Sequence, residues 1–289
     1  MLWQRLLTAA VGIPVVLLLI YFGGWWLAAA TALLAIIALW EFYRLVQAGM
    51  DAGLGSPAAL SAWDLRFIRA IGYGLALDMP LTALLGPGPF LLWFGLVAVG
   101  FLILVFVLTS RRTRAASVRP ILPIGALALP ALFSCIVYLR LLDGTPVSVM
   151  RVTLPPGACW LFLVFATCWA MDTAAYAVGK KWGKRKLCPT ISPGKTVEGS
   201  LAGLLAALLI VSGLGWWFGL PLRQGLLLGL ILGVVGQLGD LAESKLKRWA
   251  GVKDSGAILP GHGGVLDRFD SLLFCAPAAY YYLRLAVGG

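Results

Sequence analysis

Asp240, Asp254, Asp267 and Asp270 make up a third of the acidic side chains in this chain of 289 residues, and they crowd into residues 240–270. The stretch from Ser244 to Asp270, SKLKRWAGVKDSGAILPGHGGVLDRFD, also holds the only histidine, His262, and both signs of charge. Carboxylates without a supporting set of His and Cys suit a hard, oxygen-seeking cation such as Mg²⁺. The glycines at 251, 256, 261, 263 and 264 let backbone N–H groups approach an anion closely. Lys247, Arg248, Lys253 and Arg268 add positive charge. Cation, glycine loop and lysines together describe chemistry on a phosphate. Asp267, Asp270 and Ser271 also open an apolar run. Capping of a helix N-terminus therefore accounts for one of these two aspartates, though not for both beside Arg268 and His262.

Asp240 ends a stripe of Gly225, Gly229, Gly233 and Gly236, spaced by four and three. That spacing puts the glycines on one helix face and lets a neighbouring helix come close. The glycines need no explanation beyond packing. Asp240 does, because a carboxylate at the edge of hydrocarbon is costly unless paired. Glu243, Ser244 and Lys247 continue the same face. A second constellation is GKKWGKRKLCPTISPGKTVEGS, residues 179–199 with Ser200. Lys180 to Lys186 read equally as a topology-setting basic loop. Ser192-Pro193-Gly194-Lys195-Thr196 combines turn formers, hydroxyls and a cation just before a helix start, a natural phosphate site. It is not a Walker A loop, because Pro189 stands where that motif needs glycine and no strand is expected before it. Glu198 is expected to cap the helix that follows. Asp172 lies inside an apolar run with Tyr176 one turn on. A buried Asp–Tyr hydrogen bond and a substrate role are equal readings of it. Glu41 and Arg44, three apart, are expected to pair.

The elements that must position these groups are membrane helices. The composition is 61% hydrophobic with a mean hydropathy of +0.92, against about 45–50% apolar in soluble domains. Apolar runs recur along the chain, and the expected fold is all-α: a polytopic transmembrane bundle of about nine spans with a cytoplasmic-side cleft. The spans are 6–22, 25–43, 67–85, 89–109, 121–142, 157–178, 200–219, 224–243 and 271–287, the third interrupted by Asp78 and Pro80. The first is read as an uncleaved anchor. Residues 1–142 supply N-terminal helices and 143–289 a C-terminal catalytic region of one continuous membrane domain. With this alternation, 19 of the 23 Lys and Arg fall on one side, which the positive-inside rule makes cytoplasmic. The 179–199 and 244–270 loops are on that side. Trp25-Trp26 and Trp216-Trp217 would anchor the other interface.

The net charge of +11 follows mostly from topology signals and anionic lipid. No basic soluble module suggests nucleic acid. Five scattered cysteines, none in a CxxC pair, suggest neither disulfides nor zinc. A channel or transporter would spread polar residues along several spans, whereas here they gather at helix ends. A transferase acting on a polyprenyl phosphate could use the same parts.

The segment Ser244-Lys245-Leu246-Lys247-Arg248, then Lys253-Asp254, then Leu259 to Asp270 (LPGHGGVLDRFD) resembles the signature of phosphatidate cytidylyltransferases, also called CDP-diacylglycerol synthases. Asp172 to Tyr176, Ser192 to Thr196 with Glu198-Gly199, and Gly239-Asp240-Leu241 with Glu243-Ser244 are similar to that family's C-terminal half. The D-G-x₂-A-R motif of transferases that consume CDP-diacylglycerol is absent. The resemblance implies CTP and phosphatidic acid as substrates, Mg²⁺ on Asp240 and Asp267, a second monovalent cation such as K⁺, a homodimer, and the cytoplasmic membrane; the compact chain is read as bacterial, which makes that the inner membrane. Lys195, Lys247 and Arg248 would join the aspartates in catalysis. Asp172, Ser192, Thr196, Lys253, Asp254, His262, Gly263, Gly264, Arg268 and Asp270 would bind substrate.

Overall fold

The computed structural model describes residues 2–52, 62–86, 118–144, 147–149, 152–258 and 263–287. The expected span 89–109 and His262 lie outside the described residues. The chain forms α1 (Leu2–Phe22), α2 (Gly24–Asp51), α3 (Ala62–Thr82), α4 (Val118–Arg140), α5 (Pro156–Trp182), α6 (Val197–Trp217), α7 (Leu222–Trp249) and α8 (Leu266–Val287). Two short antiparallel hairpins join them: β1 (Val147–Val149) with β2 (Val152–Leu154), and β3 (Lys186–Cys188) with β4 (Ser192–Thr196).

Among the described residues, six stretches are long and apolar enough to cross a membrane: Gly24–Asp51, Leu65–Leu85, Ile121–Arg140, Pro156–Trp182, Val197–Trp217 and Leu222–Trp249. A polytopic helical membrane protein follows. Of the other expected spans, 6–22 contributes a shorter apolar helix, Ala10–Phe22. Helix α8 covers 271–287, but three consecutive tyrosines (280–282) and Arg284 make it less apolar. Helix α7 runs past its expected end at 243. Its 28 residues span about 42 Å at 1.5 Å per residue, against a hydrocarbon core of about 30 Å. Its charged last turns therefore need not lie in lipid.

The helices group into two compact units. One comprises residues 1–15, 24–137 and 246–269. Its packing centres on α2, whose Leu39, Phe42, Tyr43 and Val46 are buried. Phe42 fills the space beside Gly125 of α4, and Tyr43 that beside Gly72 of α3. Trp249, at the end of α7, packs on Gly49 in the same way. Phe133 meets Phe269 at 5.8 Å between ring centres. Small residues opposite aromatics let helices interlock where no hydrophobic gradient drives association in lipid.

The other unit comprises residues 16–23, 138–245 and 270–289. Here α6 is apolar all round, and residue size decides which face it buries. Gly199, Gly203, Ala207, Val211 and Gly215, four apart, are buried, while Leu201, Leu205 and Leu209 are exposed, as lipid-facing residues are. The glycine stripe of α7 packs as its spacing predicts. A Cβ on Gly229 would stand 2.9 Å from Cα of Leu208, and one on Gly225 3.2 Å from Cα of Ser212, both on α6. Gly236 and Gly239 continue the stripe against Cys275 and Phe274 of α8. Arg140 donates to the Ile20 and Tyr21 carbonyls at 2.7 and 3.0 Å, satisfying the open C-terminus of α1.

Candidate active site: a basic cleft and a buried carboxylate cluster

Helices α5, α6 and α7 and the β3–β4 hairpin enclose a cleft of about 690 Å³, within the range of ligand pockets. Within the 179–199 stretch, the part between α5 and α6 is thus a hairpin, not a loop: Lys186 pairs with Thr196 and Cys188 with Ser192, with an irregularity between them. A strand does precede Gly194-Lys195-Thr196, contrary to expectation, although three residues of β3 do not make a Walker fold. The hairpin forms because its turn residues end one helix and cap the next. Thr196 accepts from the Gly199 amide at 3.1 Å and is the N-cap of α6. Glu198, in the first turn of α6, accepts from its own amide as expected of a residue that helps cap that helix, and also from the Lys184 and Arg185 amides at 3.1–3.2 Å, tying the end of α5 to the hairpin. A Cβ on Gly199 would stand 2.6 Å from the Ala175 carbonyl oxygen. Glycine is therefore required where α5 meets α6.

Five of the expected site residues line this cleft: Asp172, Ser192, Lys195, Thr196 and Asp240. Lys195 Nζ lies 2.5 Å from Asp240 Oδ2, with about a quarter of each side chain exposed. Asp240 Oδ1 accepts a long bond, 3.4 Å, from Ser244. Lys180 and Lys186, read as topology signals, also face the cleft. Asp172 and Tyr176 are exposed to it rather than buried, so the buried-pair alternative fails. The Tyr176 hydroxyl accepts instead from Lys180, at 3.5 Å. On α7, Gln237 lines the wall, holding the Ser200 carbonyl at 3.1 Å and the Gly233 carbonyl at 2.9 Å and accepting from the Ser200 hydroxyl. The cleft thus offers three lysines, two carboxylates and a capped helix start, an arrangement suited to a phosphate chain. Asp270, also in this unit, is the fifth residue of α8 and accepts from the Ser271 amide beside it, at 2.5 Å.

The second cluster lies in the unit that contains Asp267. Lys247 Nζ donates to Asp267 Oδ1 at 2.6 Å, and both side chains are largely buried, at 12% and 6% exposure. Asp267 Oδ2 accepts three more bonds, from the Gly264 amide at 2.8 Å and from the Ser255 amide and hydroxyl at 2.9 and 3.0 Å. Burial pushes this carboxyl up, but the Lys247 ammonium and the Gly264 and Ser255 donors outweigh it and lower its pKa to about 2. Gly263 has a φ of +85°, and a Cβ there would stand 2.7 Å from Asp267 Oδ2. Glycine is the residue that permits this turn. Arg248 is exposed and donates to the Val252 carbonyl at 3.1 Å, closing the end of α7. Lys253, Asp254 and Arg268 are exposed on the same stretch.

Sequence reasoning passed over one member of this cluster. Glu41, at 0% exposure, does not pair with Arg44. Arg44 is exposed and lies 4.6 Å over the ring of Trp40. Glu41 accepts instead from the Val265 and Leu266 amides, each at 2.9 Å, and from the Ser255 hydroxyl at 3.1 Å. A carboxylate inside an apolar run was the signal available.

Among the described residues no three His, Cys, Asp or Glu side chains gather as a metal cage. Asp240 and Asp267 each hold a lysine ammonium on a carboxylate oxygen. An oxygen-only donor set of this kind fits Mg²⁺, which takes few protein ligands and completes its shell with phosphate oxygens and water.

The Cytidylyltransferase family model matches residues 3–286. The phosphatidate cytidylyltransferase of Synechocystis sp. (strain ATCC 27184 / PCC 6803 / Kazusa) is 37% identical over 300 aligned positions, covering 98% of this chain and 96% of that protein. Those of Bacillus subtilis (strain 168) and Staphylococcus aureus (strain COL) are 52% and 50% identical over 131 and 123 residues. These two matches span 45% and 42% of this chain and about half of each relative. With a match running nearly from end to end, the chain belongs to the cytidylyltransferase family.

Proposed function

We propose that this membrane protein transfers the cytidylyl group of CTP to phosphatidate, giving CDP-diacylglycerol and pyrophosphate. A phosphate oxygen of phosphatidate attacks the α-phosphorus of CTP, the new O–P bond forms, and the bond to the β-phosphate oxygen breaks. A phosphomonoester is mostly dianionic at neutral pH, with a second pKa of about 6, so the nucleophile needs no general base. The observation that carries this reading is the cleft, in which Lys195, Lys180 and Lys186 surround a capped helix start beside Asp240.

The problem to be overcome is charge. Two unit charges of like sign at 4 Å repel by about 4 kcal/mol at an effective dielectric near 20. Several such pairs arise when a triphosphate meets a phosphate. In this proposal Lys195 and the α6 N-terminus hold the CTP phosphates, while Lys247, Arg248, Lys253 and Arg268 meet the lipid phosphate. Asp240 and Asp267 would hold Mg²⁺, which when bound screens the phosphate oxygens and the charge developing on pyrophosphate. A monovalent cation would add to that screening. Catalysis then rests on positioning and electrostatics. Asp172 and Ser192 orient the nucleotide within the cleft. His262, Gly263, Gly264 and Asp254 shape the phosphate loop. The site would face the cytoplasm of a bacterial inner membrane, on the strength of the basic loops, with the protein acting as a homodimer.

The test is purified protein with α-labelled CTP, phosphatidic acid and Mg²⁺. Label entering the lipid phase with one pyrophosphate per lipid is the expected result. Label appearing in water-soluble CMP alone would contradict the reading.

A further inference from the structure

We infer that Glu41 is a positioning residue for the reaction: through Ser255 and the start of α8 it fixes the glycine loop that aims Asp267. The inference rests on the proposed function for its kinetic consequence, but not for its structural one. Glu41 sits in the middle of α2, an apolar helix, and its carboxylate is fully buried. Such a group is retained only if donors compensate its lost hydration. Here they are the Val265 and Leu266 amides at the N-terminus of α8 and the Ser255 hydroxyl, so the open end of one helix and a single hydroxyl meet the charge.

The loop is built around this carboxylate. A Cβ on Gly256 would come within 2.5 Å of Glu41 Oε1, and one on Gly264 within 2.5 Å of both its carboxylate oxygens. Both positions therefore admit only glycine while Glu41 stays in place. Ser255 is the link. Its hydroxyl lies 3.1 Å from Glu41 Oε2 and 3.0 Å from Asp267 Oδ2, and its amide donates to Asp267 at 2.9 Å. A single hydroxyl proton serves one carboxylate at a time, so the two acids share it. Residues more than 200 positions apart in sequence are thereby locked into one network around the Lys247–Asp267 pair.

The experiment compares E41Q, E41D and S255A with wild type in two readouts. The first is amide hydrogen exchange of residues 263–267 in the full-length protein, which requires no activity. The second is the steady-state rate at saturating CTP and phosphatidic acid. A glutamine presents an amide donor where two backbone N–H groups already point, so E41Q should speed exchange of Val265 and Leu266. It should also lower kcat about 10²-fold, the scale of a roughly 1 Å misplacement, with KM for CTP within about twofold of wild type. E41D keeps the charge and should recover part of both losses. E41Q combined with S255A should be little worse than either alone. Unchanged exchange at 263–267 in E41Q, or kcat losses that multiply in the double variant, would overturn the inference. If E41Q is not recovered folded, E41D and S255A decide on the same two readouts. A wild type without label transfer would sink the proposed function and leave the exchange result standing on its own.

Discussion

Two lysine–aspartate pairs of the same chemistry sit in different surroundings. In the cleft, Lys195 and Asp240 keep 26% and 29% of their side-chain exposure, and Asp240 has one further weak partner. In the other unit, Lys247 and Asp267 keep 12% and 6%, and Asp267 accepts three additional bonds. An exposed pair is screened by water, contributes about 0–1 kcal/mol to stability, and exchanges partners readily. A buried pair is costly to form, and breaking it by removing one partner costs about 3–5 kcal/mol because the other charge is stranded. One aspartate is thus free to trade a lysine for ligand, while the other also holds its loop together.

The largest expected effect follows directly. Asp240→Asn and Asp267→Asn should both abolish label transfer, but only Asp267→Asn should also lower thermal stability markedly. Equal melting behaviour in the two variants would erase the distinction between the two pairs. Next comes Lys195→Met, expected to lower kcat/KM for CTP by about 10²–10³-fold, the loss typical of one electrostatic donor, with little change in melting. Lys247→Met should do the reverse, destabilising the protein as well as slowing it.

The same contrast bears on what the sequence discloses. Asp240 and the glycine stripe of α7 were legible because helical periodicity places them on one face, and the structure packs that face against α6 and α8. Lys195 and Thr196 were legible from turn chemistry before a helix. The β3–β4 hairpin was not, since three- and five-residue strands rich in lysine, proline and glycine carry no alternation. Glu41 was not legible, because its three-residue spacing from Arg44 suggests a helix-surface pair. Its partners, Ser255, Val265 and Leu266, lie more than 200 residues away and contribute mainly backbone amides. No local pattern encodes such a bond. Helix α8 was legible as a helix, but its tyrosines and Arg284 make it less apolar than the six long apolar stretches among the described residues.

Smaller effects sharpen the comparison further. Gly199→Ala would press a methyl group on the Ala175 carbonyl at 2.6 Å, and such overpacking costs about 1–3 kcal/mol. It should reduce stability and narrow the cleft. The acid response separates the pairs in another way. The Asp267 carboxyl titrates near 2 in the folded protein, below its ordinary value of 3.8. Its contribution is therefore complete above about pH 4 and is lost as pH falls toward 2. Activity lost between pH 6 and 5 must come from another group, the substrate phosphate among them. His262→Gln should have the smallest effect and leave measurable turnover, because the nucleophile arrives already ionised.

The most direct measurement is label transfer from α-labelled CTP to phosphatidic acid by wild type, Asp240→Asn and Asp267→Asn, each purified in the folded state, across a Mg²⁺ titration. The expected result is magnesium-dependent formation of labelled CDP-diacylglycerol by wild type and none by either variant at any Mg²⁺ concentration. Wild-type turnover by either variant would contradict it.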